Sequence, residues 1–218
     1  MEYSAIMMQK FFQSGVMAII RIDSSQDVIP TVEALAKGGI EFIEISLVTP
    51  HAVEYITRVH EQFAGSVMIG AGTVLDAESA RTAILAGADF IVSPTTRVET
   101  ILTARRYGKP CFSGAFTATE CLLAWESGAD AVKVFPAMPA GPEYIKAIHA
   151  PLPQIPLVAV GGVTLENLPA FFKAGCCGVA GATSLANPKL IAAGSFGEIT
   201  RIGADWMEAA RESRGHNG

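Results

Sequence analysis

The sequence lacks the features that mark several large classes of protein. It has no run of Lys and Arg in its 218 residues, and its formal net charge is −5, so no nucleic-acid partner is expected. No uncharged apolar stretch approaches the roughly 18–20 residues that cross a bilayer, so no membrane partner is expected either. The first 20 residues start acidic, and their apolar part continues into a predicted strand, which is not typical of a signal peptide.

Cysteine is also scarce, with four residues, two of which (Cys176 and Cys177) are adjacent. No Cys-x-x-Cys pair occurs, so neither a disulfide framework nor a cysteine metal site is expected. We interpret the four cysteines as reduced, packed side chains of a cytoplasmic protein, with a regulatory thiol as the alternative.

Short hydrophobic runs separated by amphipathic segments fill the chain, half of whose residues are hydrophobic. Strands alternating with helices form parallel sheets with right-handed crossovers. Eight strand–helix units in about 200 residues predict a closed (β/α)8 TIM barrel, with an open doubly wound sheet as the alternative. The eight predicted strands cover 15–22, 40–47, 66–72, 88–93, 109–114, 129–135, 155–162 and 177–182.

No linker, charge block or low-complexity tract divides the chain, so we expect a single domain over residues 1–218. The pattern also predicts an extra helix over 3–13, before the first strand. A long last helix is predicted at about 197–212.

Strand parity places three charged residues inside the predicted barrel. Arg21, Glu44 and Lys133 alternate with residues suited to the layer between strands and helices. Lys133, for example, lies on the face opposite Val132 and Val134. All three charged residues sit toward the C-terminal ends of their strands, where the active sites of barrel enzymes lie.

An inward-facing lysine suggests a chemical role. Burial removes the hydration of an ammonium group and favours the neutral amine, which is the nucleophile of Schiff-base catalysis. The Glu44 carboxyl could then move protons near the iminium. The alternative is a buried structural ion pair between Lys133 and Glu44. Arg21 presents a planar fork suited to a carboxylate or phosphate, or it forms a salt bridge at the barrel mouth.

Two glycine-rich turns follow the last two predicted strands, "AVGGVTLENL" (159–168) and "VAGATSL" (179–185). Barrels often bind phosphate with these loops, because glycines let backbone N–H groups approach an anion. Tight turns without a ligand are the alternative. In "GAGT" (70–73), Thr73 either hydrogen-bonds a substrate carboxylate or caps the next helix.

An ordered set of motifs along nearly the whole chain resembles one enzyme family. The motifs include "EISLVTP" (44–50), "IGAGTVL" (69–75), "VKVFPA" (132–137), "GPEYIKAI" (141–148), "VGGVTLENL" (160–168) and "GEITRIGADW" (197–206). They are similar to those of the class I aldolases acting on 2-keto-3-deoxy-6-phosphogluconate and 4-hydroxy-2-oxoglutarate. Aldolases acting on 2-keto-3-deoxy-6-phosphogalactonate are close relatives.

The resemblance implies a homotrimeric (β/α)8 barrel that needs no metal ion or cofactor. It also implies cleavage of a 2-keto acid to pyruvate and an aldehyde. The aldehyde is glyceraldehyde 3-phosphate from the phosphorylated sugar acids and glyoxylate from 4-hydroxy-2-oxoglutarate.

By position, Lys133 matches the Schiff-base lysine, and Glu44 matches an acid/base that works through a water. Thr73 matches a contact to the pyruvate carboxylate, and Arg21 matches an anion-binding arginine near the mouth. Two residues match positions that line the pocket, Pro94 and Phe135. Six match positions in the phosphate-binding turns: Gly161, Gly162, Gly181, Ala182, Thr183 and Ser184.

Four departures bear on the substrate. Many gluconate-type members carry an arginine where Val48 stands and a threonine where Val160 stands. The Pro-Gly pair of strand 5 is Ser113-Gly114, and the last turn, often Gly-Gly-Ser, is Gly181-Ala182-Thr183. Galactonate-type relatives also lack the arginine and also have "AVGGVT", so phosphogalactonate is the alternative substrate.

Stereochemistry at C4 distinguishes the two sugar acids, and we expect it to be sensed around Val48, Val160 and Ser113. Two other classes are alternatives to an aldolase. One is another phosphate-binding barrel enzyme, such as an isomerase or a thiamin-phosphate-synthase-like transferase. The other is a non-catalytic barrel that binds a keto acid or phosphate.

Overall fold

The computed structural model describes residues 2–23 and 27–215, in which one helix precedes eight strands that alternate with helices. The strands are β1 (Val16–Ile20), β2 (Phe42–Ser46), β3 (Met68–Gly72), β4 (Phe90–Val92), β5 (Cys111–Ala115), β6 (Ala131–Val134), β7 (Leu157–Val160) and β8 (Gly178–Gly181). The helices are α1 (Glu2–Ser14), α2 (Val28–Lys37), α3 (Ala52–Phe63), α4 (Ala77–Leu85), α5 (Val98–Arg106), α6 (Ala118–Glu126), α7 (Ala137–His149), α8 (Leu168–Lys173), α9 (Pro188–Ala192) and α10 (Phe196–Gly215).

The strands form a closed parallel barrel in the order β1 to β8. Closure occurs where β1 pairs in parallel with both β2 and β8. The predicted (β/α)8 barrel is therefore confirmed, and an open sheet is excluded. All eight predicted strands are present, as are the helix before the first strand and the long last helix. No helix in the described part of the chain is long and apolar enough to cross a membrane.

Local sequence signals explain where several helices begin and end. The Asp76 side chain accepts a hydrogen bond from the Ser79 N–H at the start of α4. Thr117 and Glu120 form a reciprocal capping box at the start of α6. After α6 the chain turns at Gly128, whose φ of 96° is a conformation that residues with a Cβ rarely adopt. These signals are local, which is why the alternation of elements could be predicted from the sequence.

Two hydrophobic cores occupy opposite faces of the barrel wall. Side chains such as Ile20, Ile45 and Val134 are fully buried between the strands and the helices. The other face fills the barrel interior, where large side chains such as Phe42 and Phe90 pack together. This separation matches the parity expected of parallel strands and confirms which face of each strand points inward.

Helix α1 closes the N-terminal end of the barrel. The buried Phe11 ring packs edge-on against Phe42 and Phe112, with centroids 5.2 and 4.9 Å away. Hydrogen bonds then tie the helix to the strand ends. Tyr3 Oη donates to Asp89 Oδ1 at 2.8 Å, and the other Asp89 oxygen accepts from the Ile69 N–H at 3.1 Å. The packed N-terminal end leaves the C-terminal end for a site.

Candidate active site

The two residues predicted to be catalytic face each other inside the barrel. Lys133 lies on β6 and Glu44 on β2, which stand on opposite sides of the eight-stranded wall. Lys133 Nζ is 3.9 Å from Glu44 Oε2, and only 7% and 2% of the two side chains are exposed. The predicted placement of both side chains is therefore confirmed.

The Glu44 carboxyl has an unusual electrostatic environment. Burial raises its pKa above the ordinary value, and the positive charges of Lys133 and Arg21 only partly oppose that effect. Glu44 Oε2 has no hydrogen-bond partner within the described residues. The distance to Lys133 is also well beyond the roughly 2.7–2.9 Å of a tight charge-assisted hydrogen bond. The geometry therefore suits proton transfer better than a structural ion pair.

Two glycines make room for the site, one on the strand next to Glu44 and one on the strand next to Lys133. A Cβ at Gly72, at the end of β3, would overlap the Glu44 carboxyl. A Cβ at Gly114, beside Lys133 in the barrel register, would overlap the backbone of Pro94. Gly114 thereby allows the loop after β4 to approach the lysine. Pro94 thus lies against β5, the strand next to the lysine strand, as expected of a residue that lines the pocket.

Phe135 forms a wall between the lysine and the first glycine-rich turn. The centre of its ring is 5.3 Å from Lys133 Nζ. A Cβ at Gly161 would lie 3.1 Å from the same ring, so the turn runs directly over Phe135. Both Gly161 and Gly162 have positive φ, at 94° and 80°, which allows the tight turn. The structure therefore brings these predicted residues together.

Thr73 follows β3 in a strained conformation and contacts a residue that the motif comparison missed. Its φ of 58° costs a β-branched residue about 1–2 kcal/mol. Thr73 Oγ1 lies 2.7 Å from the hydroxyl of Ser46, a buried residue at the end of β2. The next helix is capped by Asp76, so the alternative capping role of Thr73 is wrong. Parity could have indicated Ser46, which shares the inward face with Glu44.

One side-chain hydrogen bond joins the two glycine-rich turns, and two others lie within the first turn. Ser184 Oγ donates to the Val163 carbonyl at 2.7 Å. Asn167 accepts from the Thr164 N–H at 2.8 Å and donates to the Gly162 carbonyl at 3.0 Å. The Ser184 hydroxyl proton is therefore used within the protein in this conformation. Asn167, which was not predicted as a site residue, fixes the shape of the first turn.

The second turn follows β8, and its three remaining predicted residues differ in accessibility. Gly181 is buried, Ala182 is half-buried and Thr183 is exposed. The Ala182 carbonyl accepts from the Leu185 N–H at 3.0 Å, which tightens the turn. The turn therefore lies at the mouth of the barrel beside the first one, to which Ser184 connects it.

Three further residues from the sequence predictions occupy different positions. Arg21 is exposed just after β1, and its charge acts on Glu44 from the barrel mouth. Val48 is 60% exposed in the loop after β2, whereas Val160 is buried in the interior core at the end of β7. The expectation that Ser113 senses the substrate is wrong. Its register partner is an outward-facing residue, so Ser113 faces the helix layer.

No group of three or more His, Cys, Asp or Glu side chains that could hold a metal ion occurs in residues 2–23 and 27–215. A family model described as "Aldolase: KDPG and KHG aldolase" matches residues 7–202. The chain belongs to this family. Proteins of this family with known names are aldolases, which are lyases, so the family and enzyme class predicted from the motifs are confirmed.

Named relatives of this aldolase act on both sugar acids. It is 40% identical over 162 residues to the 2-dehydro-3-deoxy-6-phosphogalactonate aldolase of Escherichia coli K12, covering 74% of this chain and 79% of the relative. It is 33% identical over 205 residues to the 2-dehydro-3-deoxy-phosphogluconate aldolase of Pseudomonas aeruginosa, covering 94% of this chain and 93% of the relative.

A solved structure adds chemical information about a related protein. The KDPG aldolase from Legionella pneumophila, solved with pyruvate captured as a covalent carbinolamine intermediate, superposes with a TM-score of 0.83 at 27% identity. The match covers 89% of this chain and 94% of the Legionella chain. That relative therefore forms a covalent carbinolamine with pyruvate on the same fold.

Proposed function

We propose that this aldolase uses Lys133 as a Schiff-base nucleophile to cleave a 2-keto-3-deoxy-6-phospho sugar acid to pyruvate and glyceraldehyde 3-phosphate. The observation that carries the proposal is the buried pair of Lys133 Nζ and Glu44 Oε2, 3.9 Å apart in the barrel interior. The covalent pyruvate of the Legionella relative supports the same chemistry here. Neither side chain has the tight ion-pair geometry that a purely structural role would favour.

The first half of the reaction forms the electron sink. The Lys133 amine attacks C2 of the keto acid to give a carbinolamine. Glu44 passes a proton through a water to the leaving hydroxyl, and loss of water gives the iminium. The raised pKa of Glu44 favours this step, because the carboxyl then holds a proton over more of the pH range.

The second half breaks the carbon–carbon bond. The C4 hydroxyl loses its proton, the C3–C4 bond breaks, and its electron pair moves into the iminium to give an enamine. The aldehyde leaves, C3 takes up a proton, and hydrolysis restores the Lys133 amine and releases pyruvate. Glu44, the nearby carboxyl with an unbonded oxygen, is assigned to these proton transfers.

The remaining site residues hold the two ends of the substrate. Thr73 is assigned to the carboxylate next to C2, and Phe135 and Pro94 line the pocket around the lysine. Arg21 adds positive charge at the mouth, which favours an anionic substrate. The turns at Gly161–Gly162 and at 181–184 are assigned to the phosphate. The positive φ of Gly161 and Gly162 lets backbone N–H groups approach an anion, and the bond from Ser184 to the Val163 carbonyl holds the second turn beside the first.

Between the two sugar acids, phosphogalactonate is the better candidate. Val48 supplies no charge where many gluconate-type members have arginine, and Val160 supplies no hydroxyl where many have threonine. Val160 is buried in the barrel interior at the C-terminal end of β7, where it can contact the substrate beyond the lysine. The 40% identity to a phosphogalactonate aldolase supports the same choice. Activity on phosphogluconate instead would favour an Entner–Doudoroff role.

The test is a side-by-side measurement of pyruvate release from both phosphosugar acids and from 4-hydroxy-2-oxoglutarate. We expect the highest kcat/KM with phosphogalactonate, and we expect inorganic phosphate to compete with it. Faster release from hydroxyoxoglutarate, with no effect of phosphate, would contradict the assignment of the glycine-rich turns. Binding without pyruvate release from any substrate would indicate a non-catalytic barrel.

We further propose a homotrimer in the cytoplasm. Exposed apolar side chains at Val48, Val53 and Leu75 lie on adjacent βα units, which suits a contact between copies of the chain. All four cysteines are unpaired, which suits a reducing compartment. Light scattering after size exclusion should give three times the chain mass, and Val53→Lys should lower that mass. A wild-type monomer would contradict the trimer.

A further inference from the structure

We propose that Ser46 is a positioning residue, whose hydroxyl donates to Thr73 Oγ1 and thereby directs the Thr73 proton toward the substrate carboxylate. The inference rests on the proposed function, because that function assigns the carboxylate to Thr73. It adds a residue that neither the motifs nor the named relatives identify. Ser46 acts through Thr73 and does not itself touch the substrate.

The position of Ser46 argues for a specific partner. It is the last residue of β2, two residues after Glu44 on the same inward face, and it is 1% exposed. In the barrel register it pairs with Gly72, the residue before Thr73. The 2.7 Å contact between Ser46 Oγ and Thr73 Oγ1 therefore crosses from β2 to β3 at the level of the catalytic carboxyl. Ser46 Oγ has no second hydrogen-bond partner in the described part of the chain.

The backbone around Thr73 is held without Ser46. The Leu47 N–H donates to the Gly72 carbonyl at 2.8 Å, on one side of Thr73. The Val74 N–H donates to the Val92 carbonyl at 3.1 Å, on the other side. Because these bonds fix the strained backbone, the contact with Ser46 is left to orient the Thr73 hydroxyl. Ser46 is therefore assigned to orienting the Thr73 hydroxyl and not to folding the backbone around it.

Proton accounting fixes the direction of the bond when a carboxylate is bound. Two hydroxyls that share one hydrogen bond can exchange donor and acceptor roles. A carboxylate only accepts, so Thr73 must spend its single proton on it. The Ser46 proton must then point at Thr73 Oγ1, which gives a chain from Ser46 to Thr73 to the carboxylate. Hydrogen bonds in such a chain strengthen one another.

The test measures how the borohydride trapping of pyruvate on the enzyme depends on pyruvate concentration. We expect Ser46→Ala to raise the half-saturating pyruvate concentration, and the KM for the keto acid, by about three- to tenfold. The value of kcat should change less, because the chemical groups remain in place. Ser46→Thr, which keeps the hydroxyl, should restore wild-type values. Ser66→Ala is the matched control, because Ser66 is an exposed serine just before the start of β3.

A double-mutant cycle isolates the interaction. In a Thr73→Val background, Ser46→Ala should change half-saturation by less than about twofold, because the hydroxyl that it orients is already absent. An equal loss in both backgrounds would overturn the proposal, as would wild-type saturation in Ser46→Ala. Ser46→Cys, which keeps the volume but donates weakly, provides the same comparison if the alanine variant does not fold.

The outcomes also separate this proposal from the proposed function. Normal trapping in the wild type, with no effect of Ser46→Ala, would overturn only the role of Ser46. Failure of the wild-type protein to be trapped with pyruvate would overturn the proposed function, and the role of Ser46 with it.

Discussion

The Glu44 carboxyl lies against Gly72 of the neighbouring strand, in the space that a Cβ at Gly72 would occupy. Gly72 is needed for this reason rather than for its backbone, since its φ is not among the positive values of the chain. The same pattern recurs at Gly114, the register partner of Lys133, where a missing Cβ admits the Pro94 backbone. Two strand glycines thus shape the site, because neither has a Cβ to occupy the space beside it.

Replacing Gly72 should therefore impair catalysis more than folding. We expect Gly72→Ala to push the Glu44 carboxyl away from Lys133 and to lower kcat at least about tenfold, since small displacements of catalytic groups cost large factors. Steady-state kinetics and thermal unfolding measure the two effects. Gly197→Ala, in helix α10 with no neighbouring atom near the added Cβ, is the control. Equal kcat in Gly72→Ala and wild type would contradict the account of this packing.

Neutralising Glu44 should affect turnover more than affinity. Glu44→Gln keeps the size of the side chain but cannot accept or give a proton in the way a carboxyl does. We expect kcat to fall by about 10²–10⁴-fold, the usual contribution of a general acid or base, with a much smaller change in KM. A variant that weakens binding and leaves kcat intact would reassign Glu44 to positioning the substrate.

The same variant should change how stability depends on pH. The pKa of Glu44 is raised in the folded state, mainly by burial, so the folded protein holds this proton more tightly than the unfolded chain does. Its contribution to the free energy of unfolding is therefore greatest below the ordinary value of 4.5, and it declines as pH rises toward the raised pKa.

Urea unfolding at a series of pH values tests this linkage. As the pH rises above about 4.5 toward the raised pKa of Glu44, wild type should lose stability relative to Glu44→Gln. A difference between the two proteins that stays constant, or that moves in the other direction, would show that ionised Glu44 is not penalised by burial.

The sequence predicted the architecture and the central pair because both depend on local periodicity. Alternating strands and helices implied the barrel, and strand parity alone put Lys133 and Glu44 on inward faces. Parity did not decide the same question for Ser113, because neither alternating face of strand 5 is distinctly apolar; its pairing with the outward-facing Val132 does. The motif comparison had associated Ser113 with substrate sensing, and the register between β5 and β6 corrects that association.

Other features could not be predicted because they depend on contacts between distant segments. The bond between Ser46 and Thr73 needs the register of β2 against β3, which no local signal gives. The bond from Ser184 to the Val163 carbonyl joins two loops that follow different strands. The role of Asp89, which ties α1 to the barrel, likewise appears only when the two ends of the contact are placed in space.

The N-terminal end of the barrel should serve stability and not catalysis. Phe11 is fully buried against Phe42 and Phe112, toward the N-terminal ends of the strands. We expect Phe11→Ala to lower the free energy of unfolding by about 3–5 kcal/mol in urea titrations, with KM nearly unchanged in the folded fraction. Phe12→Ala, at the neighbouring ring that is 39% exposed, should cost much less. Similar losses of stability in both variants would contradict the role of Phe11 in closing the N-terminal end of the barrel.

The most direct test of the central claim is the reduction of the enzyme with borohydride in the presence of pyruvate, followed by mass spectrometry of its peptides. We expect one reduced pyruvyl adduct, on Lys133. Lys133→Ala should abolish that adduct and lower pyruvate release by at least about a thousandfold, while Lys146→Ala, at an exposed lysine of α7, should change neither. An unmodified Lys133, together with full activity in Lys133→Ala, would contradict the Schiff-base mechanism.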